Sequence, residues 1–154
     1  MSLQSWLLFL HVLGAIVWLG AGATVSLIGL RVQRSRDRGV VADFARTLRY
    51  LGLRAFMPAL FVVLATGFVL VLDGSHWRIS EPWILIGLAL FLIAFLIGAV
   101  YLSQVGIALE RTVTTPDHDV GEATALIERW VIGYGAILLV LVVAVWDMVF
   151  KPFA

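Results

Sequence analysis

A chain of 154 residues that is 62% hydrophobic and only 14% charged, with a mean hydropathy of +1.03, lies outside the range of water-soluble globular domains. The net charge of +1 supplies no global field for nucleic acid or an acidic substrate. The absence of cysteine removes disulfides, thiolate metal sites and thiol nucleophiles together.

Asp, Glu, Lys and Arg divide the chain into four uncharged runs, Met1 to Leu30, Ala55 to Leu72, Pro82 to Leu109 and Trp130 to Trp146. A bilayer core about 30 Å thick needs about 20 helical residues. A lipid-exposed backbone must satisfy its own hydrogen bonds, so each run is expected to be a helix. The expectation is an all-α, four-transmembrane-helix up-down bundle, one integral membrane domain over 1–154, with helices over about 3–31, 50–72, 82–108 and 122–150. The first run has no basic residue ahead of it and meets its first arginine only at Arg31, which marks it as a retained helix and not a signal peptide.

The first connection is basic. Of the eleven Lys and Arg, Arg31, Arg34, Arg36, Arg38, Arg46, Arg49 and Arg54 lie in or beside it, Arg111 and Arg129 flank the third connection, and only Arg78 and Lys151 lie elsewhere. The positive-inside rule then places the first and third connections in the cytoplasm and both termini on the outer, periplasmic or extracellular side of the membrane. Trp6, Trp77, Trp83 and Trp146 fall near the outer edge as an aromatic belt, and Trp18 falls near mid-membrane. Within the basic stretch Val40, Val41, Phe44, Leu48 and Leu51 recur at helical spacing, an extension of helix two expected along the headgroups. Arg34, Arg36, Arg38, Arg46 and Arg49 are the candidate contacts to anionic lipid headgroups. Asp119 followed by Glu122 reads as the capping box that starts the last helix, and His118 between two aspartates reads as a solvated loop residue.

The costly residues are those that polarise the membrane interior. His11 and Asp147 lead, with Thr24, Ser26 and Thr66 behind them. At 100° per residue His11 shares a stripe with Gly14, Ala15, Trp18, Gly22, Val25, Ser26 and Gly29, and Asp147 shares one with Gly133, Ala136, Val140, Val143 and Ala144. Small side chains mark faces that pack closely on other helices, and Ala94 with Gly98 repeats the pattern in helix three. With the outer boundary near Ser5 and Phe150, a rise of 1.5 Å per residue puts His11 about 9 Å deep and Asp147 about 5 Å deep. A carboxylate–imidazole bond between helices one and four is therefore expected, against a rival pairing of Asp147 with Lys151 one turn on.

The segment Leu10-His11-Val12-Leu13-Gly14-Ala15-Ile16-Val17-Trp18-Leu19-Gly20 resembles the first helix of a broad group of bacterial membrane proteins that includes the CopD-like copper-resistance proteins and the HemJ-type protoporphyrinogen oxidases. Together with Pro82-Trp83-Ile84-Leu85 and Leu90-Phe91-Leu92-Ile93-Ala94-Phe95, most of the chain is similar to a family of predicted bacterial integral membrane proteins of unknown function. The resemblance implies that His11 is a haem or metal ligand, with Trp18 as its neighbour. HemJ-type enzymes also use an intramembrane lysine, which no helix core here contains, so the balance is against an enzyme. Two classes follow. The first is a haem- or porphyrin-binding protein in which His11 gives one axial nitrogen to haem b or another metal centre. The second is a non-catalytic membrane subunit or homodimerising module without a cofactor. CopD-like copper transport is a further alternative.

Overall fold

A computed structural model describes residues 2–35, 37–73, 80–117 and 119–152. Six α-helices make four long rods, with no strand among the described residues. They are α1 (Leu3–Val32), α2 (Arg38–Leu51), α3 (Met57–Asp73), α4 (Pro82–Leu96), α5 (Ser103–Thr114) and α6 (Val120–Phe150). The π-helical turn Gly52–Phe56 fuses α2 to α3, and the π-helical turn Ile97–Leu102 fuses α4 to α5. The four rods α1, α2–α3, α4–α5 and α6 are each long and apolar enough to cross a membrane.

Local chemistry fixes the ends. Ser2 caps α1 by accepting from the Ser5 N–H, Asp37 caps α2 by accepting from Gly39 and Val40, and Asp119 caps α6 by accepting from Gly121 at 2.7 Å. Each side chain satisfies amides that the helix itself leaves free. Pro82 opens α4 at a position where its missing N–H costs nothing. Pro58 is different, because it falls inside a continuous rod. Its ring excludes the carbonyl of Arg54 one turn back and it has no amide to donate, so the helix is wound loosely immediately before it and the Met57 N–H reaches back to Gly52.

The four rods close into a square only on the basic side. α1 packs on α3 and α6, and α6 packs on α4 and α5, while α2 meets α5 on the side of the α1–α2 and α5–α6 connections, here the basic side. Among the described residues α3 and α4 do not approach within 8 Å, Cα to Cα. The helical extension anticipated along the headgroups is α2, but its Val41, Phe44, Ala45 and Leu48 are buried against protein; only Val40 of that set is turned out.

The core is correspondingly lopsided. On the basic side it contains Val25, Val32, Phe44, Leu48, Leu109, Ile127, Trp130 and Tyr134. From Trp18, Ala59, Ala94 and Ile137 toward the termini, the buried positions are Gly14, Thr66, Gly87 and Asp147. One half of the bundle is filled with large apolar and aromatic side chains. The other half has an interior of two glycines, a hydroxyl and a carboxyl.

Candidate functional site in the terminal half of the bundle

His11 is half-buried and turned toward α3. Its Nδ1 lies 3.0 Å from the Val63 carbonyl oxygen and 3.2 Å from the Thr66 hydroxyl. A carbonyl oxygen can only accept, so the ring proton is on Nδ1 and the lone pair is on Nε2, which makes no hydrogen bond among the described residues. The Thr66 hydroxyl in turn donates to the Val62 carbonyl of its own helix, which leaves its lone pair free to share the Nδ1–H. Gly67 makes room for the ring, since a Cβ there would lie 3.0 Å from Cε1 and 3.3 Å from Nδ1 of His11.

Asp147 is on the other side of the same half. It is only 1% exposed, and neither carboxylate oxygen has a hydrogen-bond partner. It packs at the α4–α6 seam, where a Cβ on Gly87 would lie 3.6 Å from Oδ2. The anticipated bond between His11 and Asp147 is therefore not made: the imidazole is committed to α3 and the carboxyl is wedged against α4. The rival ion pair with Lys151 is not formed either. Lys151 instead places its Nζ 5.1 Å from the centre of the Trp83 ring, and Trp83 donates its indole N–H to Glu81 at 2.6 Å. The stripe drawn for Asp147 is also displaced, with Ala136 and Val143 exposed and Ala123, Ile127, Trp130, Tyr134, Ile137 and Asp147 forming the buried face of α6.

Trp18 is buried, edge-on to Phe91 of α4 with ring centres 5.9 Å apart. It lies one step toward the basic side from His11 and closes the floor of the polar half. Its backbone carbonyl accepts from the Tyr134 hydroxyl at 3.1 Å, and Tyr134 stacks on Trp130 at 5.0 Å. The residues that sequence reasoning passed over are Gly67, Gly87 and Tyr134. The one sequence signal for Tyr134 is its setting, a single ring between Gly133 and Gly135 in an uncharged run. Ser26, marked among the weaker polar residues, is buried with its hydroxyl unpartnered.

The described arginines of the predicted headgroup set lie on the basic side. Arg38 bonds Asp117 at 2.7 Å, Arg46 bonds Asp43 at 3.1 Å and Arg49 bonds Glu110, while Arg34 is exposed. Arg36, Trp77, Arg78 and His118 lie outside the described residues.

The donor set limits what could be held here. No group of three His, Cys, Asp or Glu side chains that could hold a metal ion occurs among the described residues, whereas a bare ion takes several protein ligands. A haem brings four equatorial nitrogens with it and asks the protein for as little as one axial ligand. A single imidazole held by its Nδ1, with Nε2 free, fits the second case and not the first.

A rod-like four-span helical protein with large apolar surfaces and a polar interior in one half is an integral membrane protein. Residues 5–152 match the family model described as "predicted integral membrane protein (DUF2269)", and the chain belongs to that family. No curated protein and no solved structure matches it.

Proposed function

We propose that the chain is a multi-pass membrane protein that binds a haem or related metalloporphyrin in the terminal half of its bundle, where Nε2 of His11 would hold it. The observation that carries this reading is the Nδ1 bond to the Val63 carbonyl, which fixes the tautomer, orients the ring and raises the basicity of the opposite nitrogen, as second-shell partners of metal-bound histidines do. The side where α3 and α4 stay apart supplies an entry from the bilayer. A bound haem would supply reversible one-electron chemistry or a carried tetrapyrrole. His11 would hold it, Thr66 and Val63 would hold His11, and Trp18 and Phe91 would keep water from the floor. We place both termini on the outer face of a bacterial inner membrane, with the arginine-rich side in the cytoplasm.

The visible spectrum of detergent-purified protein tests this directly. A Soret band, or one that develops on adding hemin, is expected for the native chain and is lost in His11→Ala. A colourless protein that takes up no hemin sinks the reading.

The runner-up is a cofactor-free helical module, for which one observation speaks: the Nδ1 bond already joins α1 to α3 and so accounts for His11 as a pin that fixes helix register. Copper transport is less favoured. Met57 and Met148, the sulfur ligands a soft ion would use, are far apart along the bundle, one within the α2–α3 rod at the start of α3 and the other in the last turn of α6.

A further inference from the structure

On the basic side, where α2 passes into α3, Arg46, Arg49, Tyr50, Leu53, Arg54 and Glu110 line an open recess of about 320 Å3. Two of its arginines are committed within the chain, Arg46 to Asp43 and Arg49 to Glu110. Arg54 has no carboxylate partner among the described residues; its guanidinium lies 5.8 Å from the centre of the Tyr50 ring. It sits in the π-helical turn that Pro58 imposes, a kind of local unwinding often found at functional sites. The surface of the rod changes character at this level. Before the recess the outward positions include Asp43, Arg46, Thr47 and Arg49; after it they are Met57, Phe61, Val62, Leu64 and Phe68. That change marks the plane where headgroups end and acyl chains begin. Tyr50 and Leu53, 60% and 65% exposed, are the apolar part of its lining.

We propose that this recess binds the phosphodiester of an anionic membrane phospholipid, with Arg54 as the principal contact. A guanidinium presents a planar fork of donors that matches phosphate oxygens. Arg46 and Arg49 keep N–H groups beyond those used by their carboxylates and complete a basic rim. Tyr50 and Leu53 take the first carbons of an acyl chain, which a soluble phosphate does not have. This narrows the broad arginine cluster read from the sequence to one site, and it shifts the weight to Arg54, which that cluster did not include.

The test compares full-length protein in neutral detergent titrated with phosphatidylglycerol, with phosphatidylcholine of the same chains, and with inorganic phosphate, by thermal midpoint and by native mass spectrometry of retained lipid. The expected result is tighter binding of phosphatidylglycerol than of phosphatidylcholine, a preference that falls about tenfold in Arg54→Gln, as for loss of one charge-assisted phosphate contact. Arg54→Lys should retain part of it and Arg31→Gln all of it. The melting midpoint of Arg54→Gln in phosphatidylcholine serves as the folding control; if that variant unfolds, Arg54→Lys and Tyr50→Leu carry the comparison. Equal lipid preference in Arg54→Gln and the native chain overturns the site. Stabilisation by inorganic phosphate that matches the lipid overturns the lipid assignment and leaves a soluble anion as occupant.

Discussion

At Gly22 the Tyr134 side chain of α6 lies directly against the backbone of α1, and replacing the glycine by alanine tests the packing of the two helices. A Cβ at Gly22 would fall closer than 3.0 Å to Cε1, Cζ and Oη of Tyr134 at once. The ring has little room to retreat, because Trp130 stacks on it at 5.0 Å, Phe56 lies against it at 5.4 Å and its hydroxyl is tied to the Trp18 carbonyl at 3.1 Å. Overpacking of this kind costs about 1 to 3 kcal/mol, and displacing the hydroxyl forfeits a hydrogen bond worth about 0.6 kcal/mol between membrane helices. Alanine gains about 1 kcal/mol over glycine from helix propensity alone. The internal control is Gly20, two residues away, where nothing lies within 4 Å of an added Cβ and the propensity gain comes without a clash. Gly22→Ala should therefore unfold more easily than Gly20→Ala by about 2 to 4 kcal/mol, read from denaturant or thermal unfolding in one detergent. Equal stability of the two variants would refute the close α1–α6 approach.

Three further outcomes follow from the same geometry. Thr66→Val should cost about 0.6 kcal/mol and less than His11→Ala, since the Val63 carbonyl still receives the Nδ1–H; equal losses in unfolding experiments would show that the hydroxyl and not the carbonyl holds the ring. Asp147→Leu should stabilise the detergent-solubilised protein by about 1 to 3 kcal/mol, the cost of a buried polar group left unpaired, and a lowered melting midpoint would show that the carboxyl has a partner the fold depends on. Cysteine at position 74 should react with an impermeant maleimide on intact cells and cysteine at position 34 only after lysis; the reverse pattern inverts the orientation.

The four spans were legible because charge placement alone divides the chain, and the Asp119 cap was legible because capping is local. The small-residue face of α1 was also legible, and Gly14, Trp18, Gly22, Val25, Ser26 and Gly29 are all buried. What periodicity could not say is which neighbour each part of that face meets. Seven residues at 100° fall 20° short of two turns, so a stripe winds slowly around its helix. Along α1 it begins on α3, where Gly14 meets Val62 and Val63, and ends on α6 and α2, where Gly29 meets Val131 and Phe44. Two residues can share a face without sharing a partner, and for that reason the His11–Asp147 bond, expected from depth and face alone, is not made. The π-helical turn beside Arg54 had a visible cause in Pro58, whereas the one at Ile97–Leu102 has no comparable signal; Gly98 within it is the nearest hint.

The uneven core bears on function more than any single residue does. Helices in lipid gain little from burying apolar surface and associate through close packing and interhelical hydrogen bonds, so a bundle meant only to hold together would carry its glycine contacts and large side chains along its full length. Here the closest glycine contacts, at Gly22, Gly29 and Gly133, and the ring stack of Trp130 and Tyr134 lie on the basic side of the Trp18 level or at it, while the glycine contacts of the terminal half, at Gly14, Gly67 and Gly87, are looser. The terminal half, by contrast, keeps an unpaired carboxyl buried at Asp147 and a free imidazole nitrogen at His11, and lets α3 and α4 stand apart. A group that lowers stability without contributing a contact is retained when something else uses it. On the proposed reading, the basic half would be the base that carries a polar half able to receive the ligand.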